Sequence, residues 1–426
     1  MHFPAHRFFT HIEPDALWQW ITRQRWFGGK ARTVTEWRVT HFLEADYGLL
    51  AALRVTYTDG AETYTLPLAW VPAASERATI THHELTLCDA AELPAFQAWL
   101  FRTLDRSPAF HRLFPTDELP PSRMLTTEQS NTSFIFGERM FVKWFRRLVQ
   151  GPNPDEELTR FLTEHTTFRN VPPYCGALHW RGASLALAAQ LTPNQGDAWP
   201  LALHCAKRHT THFPAALLGQ RTAELHNALA TATGPDLSPE PLTHHDLDEL
   251  RAEIARLHST NRATLTTRLH TLNPATAALA RRYLSAPLHT HPMPLPEGAI
   301  KTRTHGDYHL GQVLWTGTDF VIIDFEGEPT RTLPERRAKR SPLRDIAGML
   351  RSFHYAAPTD PDWANAHCAN FLQAWKTTAP TLTTGLPLLP HFIKEKALYE
   401  LSYELNNRPD WAHIPLRALA PALHEQ

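Results

Sequence analysis

The chain has 426 residues, beyond the roughly 250–300 at which one hydrophobic core stops growing, so two or three domains are expected. Forty-two Lys and Arg against 43 Asp and Glu leave a formal net charge of −1, too little for the broad positive field that non-specific nucleic-acid or membrane-surface binding requires. The 42% hydrophobic residues exclude a disordered chain, although 35 Pro against 18 Gly is an unusual balance.

The start, Met1 to Trp20, carries charges and a proline where a signal peptide has its apolar stretch. No run approaches the ~18 apolar residues of a membrane span, so a cytoplasmic protein is expected. Cys88, Cys175, Cys205 and Cys368 are far apart with no CxxC pair and read as reduced, mostly buried thiols. Of the 26 His, the pairs His82-His83, His244-His245 and His289 with His291 lie in polar or proline-rich stretches without ligand spacing, and read as surface groups.

The first ~90 residues hold a helix candidate at Asp15–Arg25, then alternating runs such as Ala51 to Tyr57 before the turn Asp59-Gly60, and form a β-rich unit. A helical stretch from Glu92 ends at Leu119-Pro120-Pro121. A hairpin pattern follows, Thr132–Phe136 and Met140–Phe145 about the turn Gly137-Glu138-Arg139. A helix begins after Asn153-Pro154-Asp155, with Asp155, Glu156 and Glu157 favoured in its first turn by the helix dipole. Further on, Leu and Ala at three- and four-residue spacings mark helices over Ala215–Thr233 and Asp246–Ser285. A short hairpin, Gln312–Trp315 and Phe320–Ile323, precedes more helices.

The richest segment is His305-Gly306-Asp307-Tyr308-His309-Leu310-Gly311-Gln312, followed by that hairpin and Asp324-Phe325-Glu326-Gly327. The tight turn returns Asp324 to Gln312, with Asp307 close by, and two carboxylates with an amide oxygen suit Mg²⁺. Protein kinases place a base Asp, a metal-binding amide five residues on, and then DFG in this order. Lys143 sits on the second strand of the upstream hairpin, as the kinase lysine does, and Glu157 on the next helix is placed to pair with it. In place of a glycine-rich loop stands Gln129-Ser130-Asn131-Thr132-Ser133, whose hydroxyls, amide and backbone N–H groups suit phosphate. Taken singly, an HGD triplet is more often an ordinary turn and a strand lysine a solvated edge residue. The ordered set carries the inference.

Glu128 to Ser133, Lys143 to Arg147, His305 to Gln312, Asp324 to Pro329 and Ser341 to Phe353 together resemble the maltokinases, bacterial kinases related to aminoglycoside phosphotransferases. The resemblance reaches the start, Trp26-Phe27-Gly28-Gly29-Lys30, and the end, Tyr399 to Glu404 with Asn407-Arg408-Pro409. It implies ATP- and Mg²⁺-dependent phosphorylation of maltose at its anomeric hydroxyl, feeding α-glucan synthesis, with trehalose synthase as a partner. By motif, Asp307 is the base, Gln312 and Asp324 hold Mg²⁺, and Lys143, Glu157, Ser130, Asn131, Thr132 and Ser133 hold ATP. The sugar falls to His305, Glu326, Arg344, Tyr399, Tyr403, Glu404 and Arg408.

The expected fold is α+β, a bilobal protein-kinase-like architecture. It comprises a β-rich cap (1–90), an intermediate nucleotide-binding part (91–200) and a mostly helical C-terminal lobe (201–426), with ATP between the last two. A related sugar or amino-sugar kinase such as glucosamine kinase is the alternative enzyme. A catalytically silent partner of trehalose synthase is the alternative outside enzymes.

Overall fold

Leu17, Trp20 and Ile21 recur at helical spacing, and the proline that opens α1 (Pro14–Arg23) has a ring already set for the first helical turn. Their apolar stripe, continued by Trp26 and Phe27, packs on Leu49, Leu53, Val55, Tyr64 and Leu66 of an antiparallel sheet. That sheet runs in the order β1 (Val34–Ala45), β2 (Gly48–Tyr57), β3 (Gly60–Pro72), β5 (Leu85–Asp89) and β4 (Ile80–His82). Tyr57 faces Gly60 across the anticipated turn. The structure is a computed structural model, and describes residues 9, 12–72, 80–82, 84–115, 118–125, 130–286, 292–329 and 331–419. Gln129, His83, His289 and His291 lie outside the described residues.

A second antiparallel sheet has the order β10 (Tyr174–Trp180), β11 (Ala183–Gln190), β8 (Met140–Trp144), β7 (Thr132–Phe136) and β6 (Ser122–Met124). The β7–β8 hairpin falls where the sequence places it, with Phe136 opposite Met140. α2 (Pro94–Asp105) presents Phe96, Leu100 and Leu104 to the core that holds Phe134, Phe136 and Trp144. Arg146 ties the two sheets together: its Nη2 donates to Asp89 Oδ2 at 2.7 Å and its Nε to Thr132 Oγ1 at 2.8 Å. The Trp144 indole adds a bond to Thr65 Oγ1 at 3.0 Å. A guanidinium this deeply buried is tolerable only because a carboxylate meets it. After β9 (Arg147–Leu148) the chain enters α3 (Pro154–His165).

The contacts divide the chain into two units, Met1–Glu164 with Pro172–Thr192, and His165–Val171 with Pro193–Gln426. Residues 1–90 fall in the first, whereas of the expected intermediate part 91–200, residues 165–171 and 193–200 fall in the second. The second is mainly helical, with α4 (Ala198–Lys207), α5 (Ala215–Ala230), α6 (His244–Arg268), α7 (Pro274–Ser285), α8 (Leu333–Arg337), α9 (Leu343–Ala356), α10 (Pro361–Thr378), α11 (Leu389–Asn407) and α12 (His413–Leu419). Two small ribbons interrupt them, β12 (Glu240–Pro241) with β13 (Ile300–Lys301) and β14 (Val313–Trp315) with β15 (Phe320–Ile322). Helix starts follow local chemistry: Thr243 and Asp246 form a capping box on α6, and the Asn273 side chain accepts from Thr276 N ahead of Pro274 on α7. α11 packs on both α6 and α9, and α5 on α10.

One crossing is tight. A Cβ at Gly348 of α9 would lie 2.6 Å from the Tyr308 carbonyl oxygen. Gly348→Ala should therefore destabilise the protein by about 1–3 kcal/mol, read as a lower urea midpoint at unchanged slope. An unaltered midpoint would show that helix and loop part without cost.

All four cysteines are free, with Cys88, Cys175 and Cys205 buried and Cys368 partly so. No helix among the described residues is long and apolar enough to cross a membrane.

Candidate active site

The loop that carries Asp307 is held almost entirely by backbone contacts. The carboxylate of Asp345, buried at the start of α9, accepts from His305 N at 2.9 Å and from Gly306 N at 3.0 Å. It also meets His226 Nε2 at 3.2 Å. Since the Trp375 indole donates to His226 Nδ1 at 3.0 Å, the proton on this imidazole belongs on Nε2, facing Asp345. Burial alone would raise the Asp345 pKa, but His226 and the backbone N–H groups outweigh it and hold the carboxyl below its ordinary range.

The loop is closed from its other side as well. His305 Nε2 lies 2.8 Å from the Ile323 carbonyl, and Leu310 N donates to Ser352 Oγ at 3.1 Å. Gly306 has φ +85°, and a Cβ there would lie 3.1 Å from Gly327 Cα, so the position takes only glycine without strain. The Asp307 side chain is left about 25% exposed.

Gln312 and Asp324 meet as the sequence reading anticipates. Val313 pairs with Ile322 across the β14–β15 ribbon and Ile323 N bonds Gln312 O at 3.0 Å, which brings Gln312 Nε2 to 2.7 Å from Asp324 Oδ2. Asp324 adopts φ +68°, a left-handed conformation uncommon outside glycine, of the kind that clusters at functional sites. The half-buried His309 feels both Asp307 and Asp324. Burial lowers its pKa, so it stays a neutral imidazole, with Gly311 N donating to its Nδ1 at 3.1 Å.

Beside Asp307 stands a residue the sequence reading did not name. Lys396 Nζ on α11 lies 3.6 Å from Asp307 Oδ1 and 2.9 Å from Glu328 Oε1, and Arg331 Nε holds the other Glu328 oxygen at 2.7 Å. Burial opposes charge on both groups. The mutual ion pairs prevail, raising the Lys396 pKa and drawing Glu328 down to about 2. Gly306, Glu328, Arg344, Glu395, Lys396 and Tyr399 share the lining of a cleft here.

Other candidates spread along α11. Arg344 Nη2 meets Glu395 Oε1 at 3.0 Å, and the Lys396 ammonium sits 4.9 Å from the Tyr399 ring centre. Glu404 is buried in a two-bond contact with Arg408, at 2.9 and 2.7 Å, and also accepts from Tyr355 OH at 3.1 Å. The Arg408 guanidinium lies over the exposed rings of Tyr403, at 5.5 Å, and Trp411, at 5.0 Å. The Glu326 carbonyl accepts from Arg336 Nη1 at 3.0 Å.

In the first unit, Lys143 on β8 places Nζ 2.6 Å from Asp155 Oδ2, both groups buried. Asp155 is thus an acid that meets Lys143, and the expected partner Glu157, half-buried, stands two residues further along the same helix. Asp155 lies in the first turn of α3, with its N–H held by the Asn153 side chain at 2.8 Å. The expected phosphate loop runs into a strand. Thr132 and Ser133 are buried strand residues of β7 opposite Trp144 and Lys143, and Thr132 Oγ1 is taken by Arg146. Of the described members, the exposed Ser130 and half-buried Asn131 precede the strand.

Residues 20–96 match the Maltokinase N-terminal cap domain family. Nearly the whole chain shares its fold with a solved glucosamine kinase in complex with glucosamine, ADP and inorganic phosphate, at a TM-score of 0.61 and 21% identity, covering 94% of this chain and 96% of that one. The architecture is thus α+β and kinase-like, with β-sheets in the N-terminal part and helices in the C-terminal part. In sequence the chain is 25% identical over 340 residues to the glucosamine kinase of Streptacidiphilus jiangxiensis, covering 71% of this chain and 74% of the relative. It is 26% identical over 352 residues to that of Mycolicibacterium smegmatis (strain ATCC 700084 / mc(2)155), covering 71% and 80%.

Proposed function

We propose that this chain is an ATP-dependent sugar kinase whose acceptor is the anomeric hydroxyl of maltose. The observation that carries the kinase reading is the rigidly held loop that presents Asp307 while the β14–β15 ribbon sets Gln312 against Asp324. Phosphoryl transfer asks a protein chiefly to align the attacking oxygen and neutralise charge. Asp307 accepts the hydroxyl proton as the oxygen attacks the γ-phosphorus, and ADP departs. Gln312 and Asp324 offer the hard oxygen donors that Mg²⁺ takes, and the bound ion neutralises nucleotide phosphates. Lys143, fixed by Asp155, offers a positive point charge of the kind that nucleotide phosphate takes. Chelation with EDTA should abolish turnover, and Lys143→Ala should lower kcat/KM for ATP at least tenfold. Undiminished kcat/KM in that variant would remove the lysine from the nucleotide.

Maltose is favoured over an amino sugar by the cap-domain match and by the charges along α11. Glu395, Glu400 and Glu404 are each already met by a guanidinium, from Arg344, Arg351 and Arg408. A cationic acceptor would find these three carboxylates already paired, whereas a neutral sugar does not need them. Glucosamine is the second reading, supported by the names of the curated relatives. Phosphate transfer scored over maltose, glucose, glucosamine and an aminoglycoside tests the choice. Turnover on glucosamine alone would refute maltose.

A further inference from the structure

Arg146 stands just past β8, and its guanidinium joins two parts of the first unit that lie far apart in sequence. Nη2 donates to Asp89 Oδ2, at the end of β5, over 2.7 Å, and Nε donates to Thr132 Oγ1, at the start of β7, over 2.8 Å. The side chain is only 2% exposed. A buried ion pair adds little net stability over apolar packing of the same volume, whereas a planar guanidinium fixes the angle between the two groups it meets. The arrangement sets geometry more than strength.

Asp89 is itself held. Its Oδ1 accepts from Ala91 N at 3.0 Å and so caps the turn that follows β5. It belongs to the 20–96 segment that matches the cap family. At the other end of the link, Thr132 pairs with Trp144 and the next residue, Ser133, with Lys143. Ser130 and Asn131 stand immediately before Thr132. The point at which the chain enters β7 is therefore set from the cap, through a side chain that faces away from any nucleotide phosphate and into the core.

We propose that Arg146 is a positioning residue for the nucleotide: anchored on Asp89, it holds the entry to β7 so that Ser130, Asn131 and Lys143 keep one setting toward phosphate. The inference rests on the reading of this chain as a kinase, and it gives the cap a task, to brace the nucleotide grip from outside. Titration of the full chain with ADP and Mg²⁺, together with steady-state rates at varied ATP, tests it in Asp89→Asn, Thr132→Val and Thr132→Ser. The first two should each weaken ADP binding and raise KM for ATP about fivefold or more with kcat within about twofold, and their combination should do no more than either alone. Thr132→Ser keeps the hydroxyl and should restore wild-type values. Leu53→Ala, in the core between α1 and the first sheet, should lower the urea midpoint while leaving KM for ATP unaltered, which separates bracing from general stability. Failure of the wild-type chain to bind ADP would overturn the kinase reading and this inference with it. ADP bound by wild type and equally well by Asp89→Asn and Thr132→Val would overturn the inference alone, as would a KM for ATP that rises as far in Leu53→Ala.

Discussion

Asp307→Asn is expected to reduce kcat by at least 100-fold, within the range that a positioned general base contributes and equivalent to about 2.7 kcal/mol or more of transition-state stabilisation. Nucleotide affinity and stability should stay close to wild type, because the loop is held by its backbone bonds to Asp345 and by His305 and Leu310, not by the Asp307 side chain. Asparagine keeps the size of the side chain and its approach to Lys396 while removing the proton acceptor. Single-turnover assays with parallel ADP titrations separate the two effects. A variant that keeps a tenth of the activity would remove Asp307 from proton transfer.

Asp345→Ala has the largest expected effect on stability. It strands two backbone N–H groups and His226 in a fully buried setting, and breaking such a pair from one side costs about 3–5 kcal/mol. Urea denaturation should show that loss, and kcat should fall with it as the Asp307 loop loosens. Wild-type stability would mean that the loop is shaped without Asp345.

The sign of the pH dependence follows. The Asp345 carboxyl is held below its ordinary range when folded, so its contribution is complete above the unfolded value near 4 and lost as pH falls through the folded one. Glu328 has the same sign, with its loss extending to about pH 2. Asp345→Asn and Glu328→Gln should each flatten the acid limb of stability relative to wild type. A limb of unchanged slope in both would contradict the ion pairs.

What could be read from the sequence was local. The β14–β15 turn brings Gln312 to Asp324 because two short strands with a tight turn have few registers available, and the start of α3 was marked by Asn153-Pro154-Asp155. The β7–β8 hairpin put Lys143 on its strand for the same reason. Contacts across long separations left no such trace. Asp345 meets the loop from 39 and 40 residues away and His226 from 119, and nothing in spacing tells a buried carboxylate from one favoured by a helix dipole. Lys396 sits in the charged run Lys394-Glu395-Lys396, which reads as a solvated helix face until the fold places Asp307 and Glu328 on it. Asp155, which Lys143 Nζ meets at 2.6 Å, stands in the same first turn of α3 as Glu157, and spacing alone did not single it out. Thr132 and Ser133 were chemically suited to phosphate, but the strand that begins with them takes their side chains inward.

The central claim is that Asp307 activates the anomeric hydroxyl of maltose, and the most direct measurement is the product formed from maltose with ATP and Mg²⁺. A disaccharide phosphate detected by ³¹P resonance, with loss of the reducing end in step with ADP release, is the expected result. No transfer to maltose, or a phosphorylated product that keeps its reducing end, would contradict the account.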